Sequence, residues 1–216
     1  MPSLAVVPDI HMRPSVFAHA VALEAEGHQV VLLGDYADNG PRPNDAGFLR
    51  EVLGFCRETG TVPLIGNHDL AYLFPEDEGF RQNGFEPDSL AALAEVYAEY
   101  RPELRYAFRK QKYLCSHAGF SGVFMRVMES KYGVDTVDQL IAFLHEEEPP
   151  ELYYQSTHND GQAAFDGPLW LRLPQYRGAL EAEGITQVVG HSSQSTIRVK
   201  HNLIMIDVRL PLLLEW

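Results

Sequence analysis

The chain has 216 residues, 45% of them apolar and 22% charged, which suits one globular domain with a full hydrophobic core. A net charge of −13 argues against a general nucleic-acid or anionic-membrane surface. An anion would need a local positive site, which clustered metal ions supply.

The N-terminal stretch MPSLAVVPDIH lacks a basic region ahead of its apolar run, so no signal peptide is expected. No run approaches the roughly 20 apolar residues of a membrane helix. Cys56 and Cys115 sit in apolar surroundings and read as reduced core residues, as in a cytoplasmic protein.

Three short apolar runs, LAVV (4–7), QVVLL (29–33) and TVPLI (61–65), read as buried strands. Each ends in a polar cluster: PDIH, GDYADNG, GNHD. Between them, residues 14–27 read as a helix with Pro14 at its start and Gly27 at its end, and residues 44–59 as a second, capped by Asn44 or Asp45. This βαβαβ opening predicts a parallel sheet, with ligand chemistry beyond the carboxyl ends of its strands. Residues 74–104 break the pattern. An acidic loop precedes a helix capped by Asp88, and together they are expected to form an inserted lid or rim.

LRYAFRK and KYLCSHAG predict a hairpin turning near Lys110–Gln111, followed by helices at roughly 121–132 and 135–147. A long irregular loop covers 148–168, and long loops in compact domains are often functional. A helix near 175–183 and strands at QVVGH, STIRVK and NLIMIDV close the chain.

Five of the predicted strands end in candidate metal ligands beside a glycine or proline: DIH, GDYADNG, GNHD, SHAG and GHS. Asp, His and Asn suit borderline transition metals. Each cluster alone has a plain structural reading: a turn, a helix cap, or a core histidine. Five in order do not. The series resembles the calcineurin-like metallophosphoesterases, and among them the bacterial PPP-type serine/threonine phosphatases and symmetrical diadenosine tetraphosphatases. The resemblance spans residues 9–192.

It implies a four-layer α-β-β-α sandwich, formed by residues 1–216 as a single domain, and hydrolysis by a hydroxide bridging two divalent ions, with Mn expected and Fe or Zn as alternatives. Position by position, it implies Asp9 and His11 for the first ion, Asp35 as the bridge, and Asn67, His117 and His191 for the second. His68 would be the general acid and Asp38 the carboxylate that keeps it protonated; Asp69 would support them. The family's usual arginine after the second aspartate is Asn39 here, which weakens the expected phosphate grip. Arg172, in a Trp-x-Arg segment resembling one that binds phosphate in bacterial relatives, is the first substitute; Arg42 is the second and Arg13 a third. Met12 stands where relatives usually carry glycine, and either narrows access to the metals or packs beneath them.

The expected substrate is a phosphomonoester, with phosphoserine or phosphothreonine on protein leading. A dinucleoside polyphosphate is the alternative and a phosphodiester a third. A non-catalytic binding module would have lost ligands, and none of the expected ligands is missing. His19, His28, His145 and His201 read as structural, as does His158, whose loop could also overhang the site. The partner expected is thus a phosphorylated protein or nucleotide; oligomeric state is not legible.

Overall fold

The structure is a computed structural model that describes residues 3–155, 166–172 and 180–215. These residues form two compact units. One contains the residues up to Arg105 with the segment from Val208 onward; the other is Tyr106–Asp207.

In the first unit, strands β1 (Leu4–Val7), β2 (Gln29–Leu32) and β3 (Val62–Pro63) pair in parallel, with Leu4 opposite Gln29 and Val31 opposite Val62. Every β1 residue is buried. That accounts for a run with no polar alternation. The crossovers are helices α1 (Pro14–Ala25) and α2 (Ala46–Thr59). Pro14 opens α1, where its missing N–H costs nothing. Asp45 caps α2, accepting from the backbone N–H of Gly47 and Phe48 at 2.8 and 3.2 Å. Gly60 closes α2 in the left-handed region at φ 76°. Phe48, Leu49, Val52, Leu53 and Cys56 form its buried face.

β3 is shorter than the expected 61–65. The Leu64 N–H still bonds β2, but the Ile65 N–H turns to the Arg105 carbonyl at 2.8 Å. A C-terminal strand, Leu212–Leu214, pairs antiparallel with β1 and makes this sheet mixed. It was not among the expected strands. After β3 come α3 (Leu70–Leu73), two 3-10 turns and α4 (Leu90–Tyr100). Asp88 does not cap α4; it lies inside the 3-10 turn Pro87–Ser89, which runs straight into the helix. An Arg50–Glu99 ion pair at 3.2 Å joins α4 to α2, and Arg57–Glu103 at 2.6 Å ties down the segment just beyond α4.

The second unit opens with the expected hairpin, β4 (Ala107–Lys110) and β5 (Tyr113–Ser116), with Gln111 left-handed at its turn. Helices α5 (Gly122–Tyr132) and α6 (Val137–Glu147) follow. Ser121 caps α5, and a Thr136–Gln139 capping box starts α6. Strands β6 (Thr186–Val189), β7 (Arg198–Lys200) and β8 (Leu203–Met205) complete a mixed sheet of order β4-β5-β6-β8-β7. Most of the helix expected near 175–183 lies outside the described residues; 181–183 form a 3-10 turn. Each unit thus joins one mixed sheet to its own helices, the layers of the expected α/β architecture.

Candidate active site

The polar clusters after β1 and β2 run side by side. The N–H groups of His11 and Met12 donate to the carbonyls of Asp35 and Tyr36 at 2.6 and 2.9 Å, holding the two loops together beyond the strands. Five non-glycine residues here are left-handed: His11, Met12, Asp35, Asp38 and Asn39. Such backbone costs on the order of 1 kcal/mol per residue and persists where surrounding bonds fix it. The crossing also needs space. A Cβ on Gly34 would overlap the backbone of Gly66, and one on Gly40 would lie 2.7 Å from Met12 Cβ. Met12 is fully buried, so it packs into the core.

Asp9, His11 and Asp35 bring one ligand atom each to within 4.8 Å of one another. Both carboxylates are buried. His11 Nδ1 faces the carbonyls of Ala37 and Asp38 at 2.9 and 3.1 Å. Carbonyls only accept, so Nδ1 carries the proton and Nε2 keeps its lone pair. That Nε2 lies 3.5 Å from Asp35 Oδ2. The other Asp35 oxygen accepts the His68 backbone N–H at 2.9 Å. Two buried carboxylates and an imidazole with its lone pair turned inward are a donor set that fits a divalent ion.

Asp69 holds the cluster together from beneath. It is fully buried. Oδ2 accepts from the N–H groups of Asp35 (2.9 Å) and Gly66 (2.7 Å), and Oδ1 from Tyr36 N–H (2.9 Å) and Tyr97 O–H (2.5 Å). Burial, then the Asp35 charge, push its pKa up to about 7, against the pull of the donors.

His68 Nδ1 meets Asp38 Oδ2 at 3.1 Å. Asp38 is 1% exposed. Its other oxygen accepts from Tyr72 O–H (2.5 Å) and Asn44 Nδ2 (2.8 Å), and its own N–H donates to Asn44 Oδ1 (2.8 Å). Burial opposes charge on His68, but Asp35 and the hydrogen-bonded Asp38 outweigh it and raise the imidazole above its usual 6.5. Asn44, Tyr72 and Tyr97 were not anticipated as parts of this site. One signal was available: Tyr72 stands one helical turn beyond Asp69, where it can reach the same cluster.

Asn67 is buried at the same strand end. Arg13 donates to the carbonyls of Asn39 (2.9 Å) and His11 (3.4 Å), strapping the two loops. Arg42 stacks over the Phe48 ring at 4.3 Å, beside a groove lined by α1 and α2.

The second unit carries its own cluster. His117 is fully buried after β5, and His191, left-handed at φ 62°, follows β6. The Gly190 N–H donates to the His117 carbonyl at 2.9 Å, and His117 Nε2 lies 3.1 Å from His191 Nδ1. Trp170 meets the His191 ring edge-on. Arg172 donates to Ser192 Oγ at 3.2 Å, next to His191. Buried Gln187 bonds the N–H and carbonyl of Phe120 at 2.8 and 3.0 Å, fixing the turn after His117.

Cys56 and Cys115 are free and buried, and burial pushes the Cys115 thiol up to about 12, a core thiol rather than a nucleophile. His28 is structural, bonding Ser3 and Glu26. His158 and much of the 148–168 loop lie outside the described residues. No helix among the described residues is long and apolar enough to cross a membrane.

A family model described as calcineurin-like phosphoesterase matches residues 2–202. No curated protein is found to match the chain. A crystal structure of a cold-active protein-tyrosine phosphatase from a psychrophilic Shewanella species is similar at 18% identity and a TM-score of 0.59, covering 96% of this chain and 71% of that one. A 1.1 Å structure of a cold-active protein tyrosine phosphatase gives the same identity and score over 96% and 70% of the two chains. At this identity the likeness shows the fold.

Proposed function

The chain belongs to the calcineurin-like phosphoesterase family and is a metal-dependent phosphoesterase, and from that premise we propose that it is a phosphomonoesterase acting on phosphorylated protein, of serine/threonine phosphatase type. It works as a single metallophosphoesterase domain with two metal ions, Mn the expected one. Residues 74–104 form a rim of its site. The compartment is the cytoplasm, a setting that suits two free cysteines.

In this reading Asp9, His11 and Asp35 would hold one ion, and Asp35, Asn67, His117 and His191 would hold the other. When bound, such ions supply a hydroxide nucleophile near neutral pH and positive charge beside the phosphoryl oxygens. The remaining work falls to this chain's side chains. His11 is oriented by two carbonyls at Nδ1, which turns its Nε2 toward the ion. Asp35 accepts the His68 N–H on one oxygen and turns the other toward His11 Nε2. As the ester P–O bond breaks, His68 delivers its proton from Nε2 to the leaving oxygen, because Nδ1 is taken by Asp38. Arg172 grips the phosphate, in place of the arginine that Asn39 replaces; Arg42 ranks second.

The observation that carries this reading is the buried Asp38–His68 pair standing beside Asp35. A donor imidazole held against a carboxylate is equipment for expelling an alkoxide, and a metal-storage or docking site has no use for it. The cold-active phosphatase that shares the fold is named a protein-tyrosine phosphatase, and that name supports a phosphorylated protein as substrate here, not the choice of residue.

The test is a panel of Mn²⁺-loaded protein against phosphoserine, phosphothreonine and phosphotyrosine peptides, diadenosine tetraphosphate and a phosphodiester, compared by kcat/KM. Phosphopeptides should lead, with the seryl and threonyl ones ahead of the tyrosyl one. A dinucleoside polyphosphate hydrolysed at least about tenfold better would reassign the substrate.

A further inference from the structure

The segment from Gln82 to Ser89 reaches the Asp38–His68 pair through three intermediaries, Asn39, Tyr72 and Asn44. Gln82–Phe85 is a turn closed by the Phe85 N–H on the Gln82 carbonyl at 3.1 Å. At its tip, the Asn83 carbonyl accepts from Asn39 Nδ2 at 3.2 Å, and the same Nδ2 lies 3.3 Å from His68 Nε2. Gly84 is left-handed at φ 89°, and a Cβ on it would overlap the Asn39 side chain, 2.8 Å from Cγ. Phe85 packs against Tyr72 with the rings tilted, centroids 5.6 Å apart, and Tyr72 donates to Asp38. Glu86 accepts the Asn44 N–H at 3.0 Å, and Ser89 Oγ accepts from Asn44 Nδ2 at 3.2 Å. Asn44 in turn holds Asp38.

Both ring nitrogens of His68 are therefore addressed. Nδ1 meets Asp38, and Nε2, the nitrogen left to reach a substrate, has the Asn39 amide nitrogen packed 3.3 Å away; that amide gives its hydrogen bond to the Asn83 carbonyl of the 82–85 turn, since both it and a protonated Nε2 are donors. Asn39 also occupies the notch above Gly84, so a longer side chain at position 39 would collide with the turn. An arginine and this turn cannot both have the same space.

We infer that Gln82–Ser89 is a positioning clamp for His68, with Asn39, bonded to the turn, as the side chain that packs against the ring. This rests on the reading of His68 as the general acid, but the clamp itself is geometric. It gives Asn39 a job other than gripping phosphate: the residue sets the angle of the imidazole through the turn. Asn39, Asn83 and Gly84 are positioning residues. None of them donates the transferred proton.

Two variants test it, Asn39→Ala and Gly84→Ala, each in the zinc-loaded full chain. Asn39→Ala removes a largely exposed amide, so the fold should stand. Gly84→Ala displaces the turn while leaving Asn39 in place. The first readout is the ¹⁵N resonance pair of the His68 imidazole, with His28 as internal reference. Both variants should move the His68 Nε2 signal and leave His28 unchanged. The second is kcat on an alkyl phosphate against p-nitrophenyl phosphate. The alkyl substrate, which needs its leaving oxygen protonated, should lose at least about tenfold, with kcat on p-nitrophenyl phosphate within about threefold and metal content equal to wild type. Inactive wild-type protein with shifted His68 signals in both variants would uphold the clamp and overturn the phosphatase reading. Active wild type with His68 signals unmoved in both variants, or with both substrates slowed equally, would overturn the clamp.

Discussion

Asp38 has every polar group of its side chain engaged: His68 on one oxygen, Tyr72 and Asn44 on the other. Burial works against a charged His68, and Asp35 first, then the hydrogen bond to Asp38, outweigh it. Folded His68 therefore binds its proton more tightly than a free imidazole does, so the acid form persists above pH 6.5 and is lost as pH rises further. Replacing Asp38 with Asn removes the charge. The alkaline limb of the kcat profile should then move to lower pH, measurable on an alkyl phosphate between pH 5 and pH 10, roughly the range in which an imidazole titrates. A limb that stays in place would mean that another group sets it. His68→Asn should cost roughly 100-fold to 10,000-fold on the alkyl phosphate with metal content unchanged. Asp35→Asn should instead lower metal content and activity together, on the order of a hundredfold or more in rate, since it removes the carboxylate charge and leaves a single acceptor oxygen to serve either the ion or the His68 N–H. Metal analysis alongside kinetics separates the two variants.

At the scale of elements, the site is a crossing of loops from neighbouring strand ends, and glycines make the crossing possible. Gly34 is left-handed at φ 100°, and its missing side chain leaves room for Gly66. Gly34→Ala should destabilise the protein by about 2 kcal/mol or more, read from urea unfolding of metal-free protein. The strand ends were legible because each apolar run stops abruptly in a polar, glycine-containing cluster. The parallel order of β1, β2 and β3 followed from the intervening helices. The strand Leu212–Leu214 was not legible. LPLLLEW has no alternation, and its partner Leu4 lies at the other end of the chain. The Asn44–Tyr72–Asp38 network was hidden for a related reason. Asn44 in PND reads as a helix cap, but Asp45 takes that position and frees Asn44 to reach back to Asp38. Position 39 stayed open as well: its neighbours Asn83 and Gly84 are more than 40 residues away in sequence, and only the fold brings them to it.

For the whole molecule, net charge and buried chemistry point the same way. A chain of net charge −13 that buries Asp9, Asp35, Asp38 and Asp69 near one another gathers negative charge where a cation relieves it. Metal that binds only the native protein stabilises it, by about 2.7 kcal/mol at a hundredfold excess over Kd. Mn²⁺ should therefore raise Tm and a chelator lower it, with Asp35→Asn showing a smaller response in a thermal scan. The most direct measurement of all is a titration of Mn²⁺ into metal-free wild-type protein, following p-nitrophenyl phosphate hydrolysis and bound metal in the same samples. Turnover should rise from near zero in step with bound metal and level off when binding does. Metal bound at saturation with no turnover at any point would contradict the hydrolase, leaving a protein that keeps the fold and the ligands without the reaction.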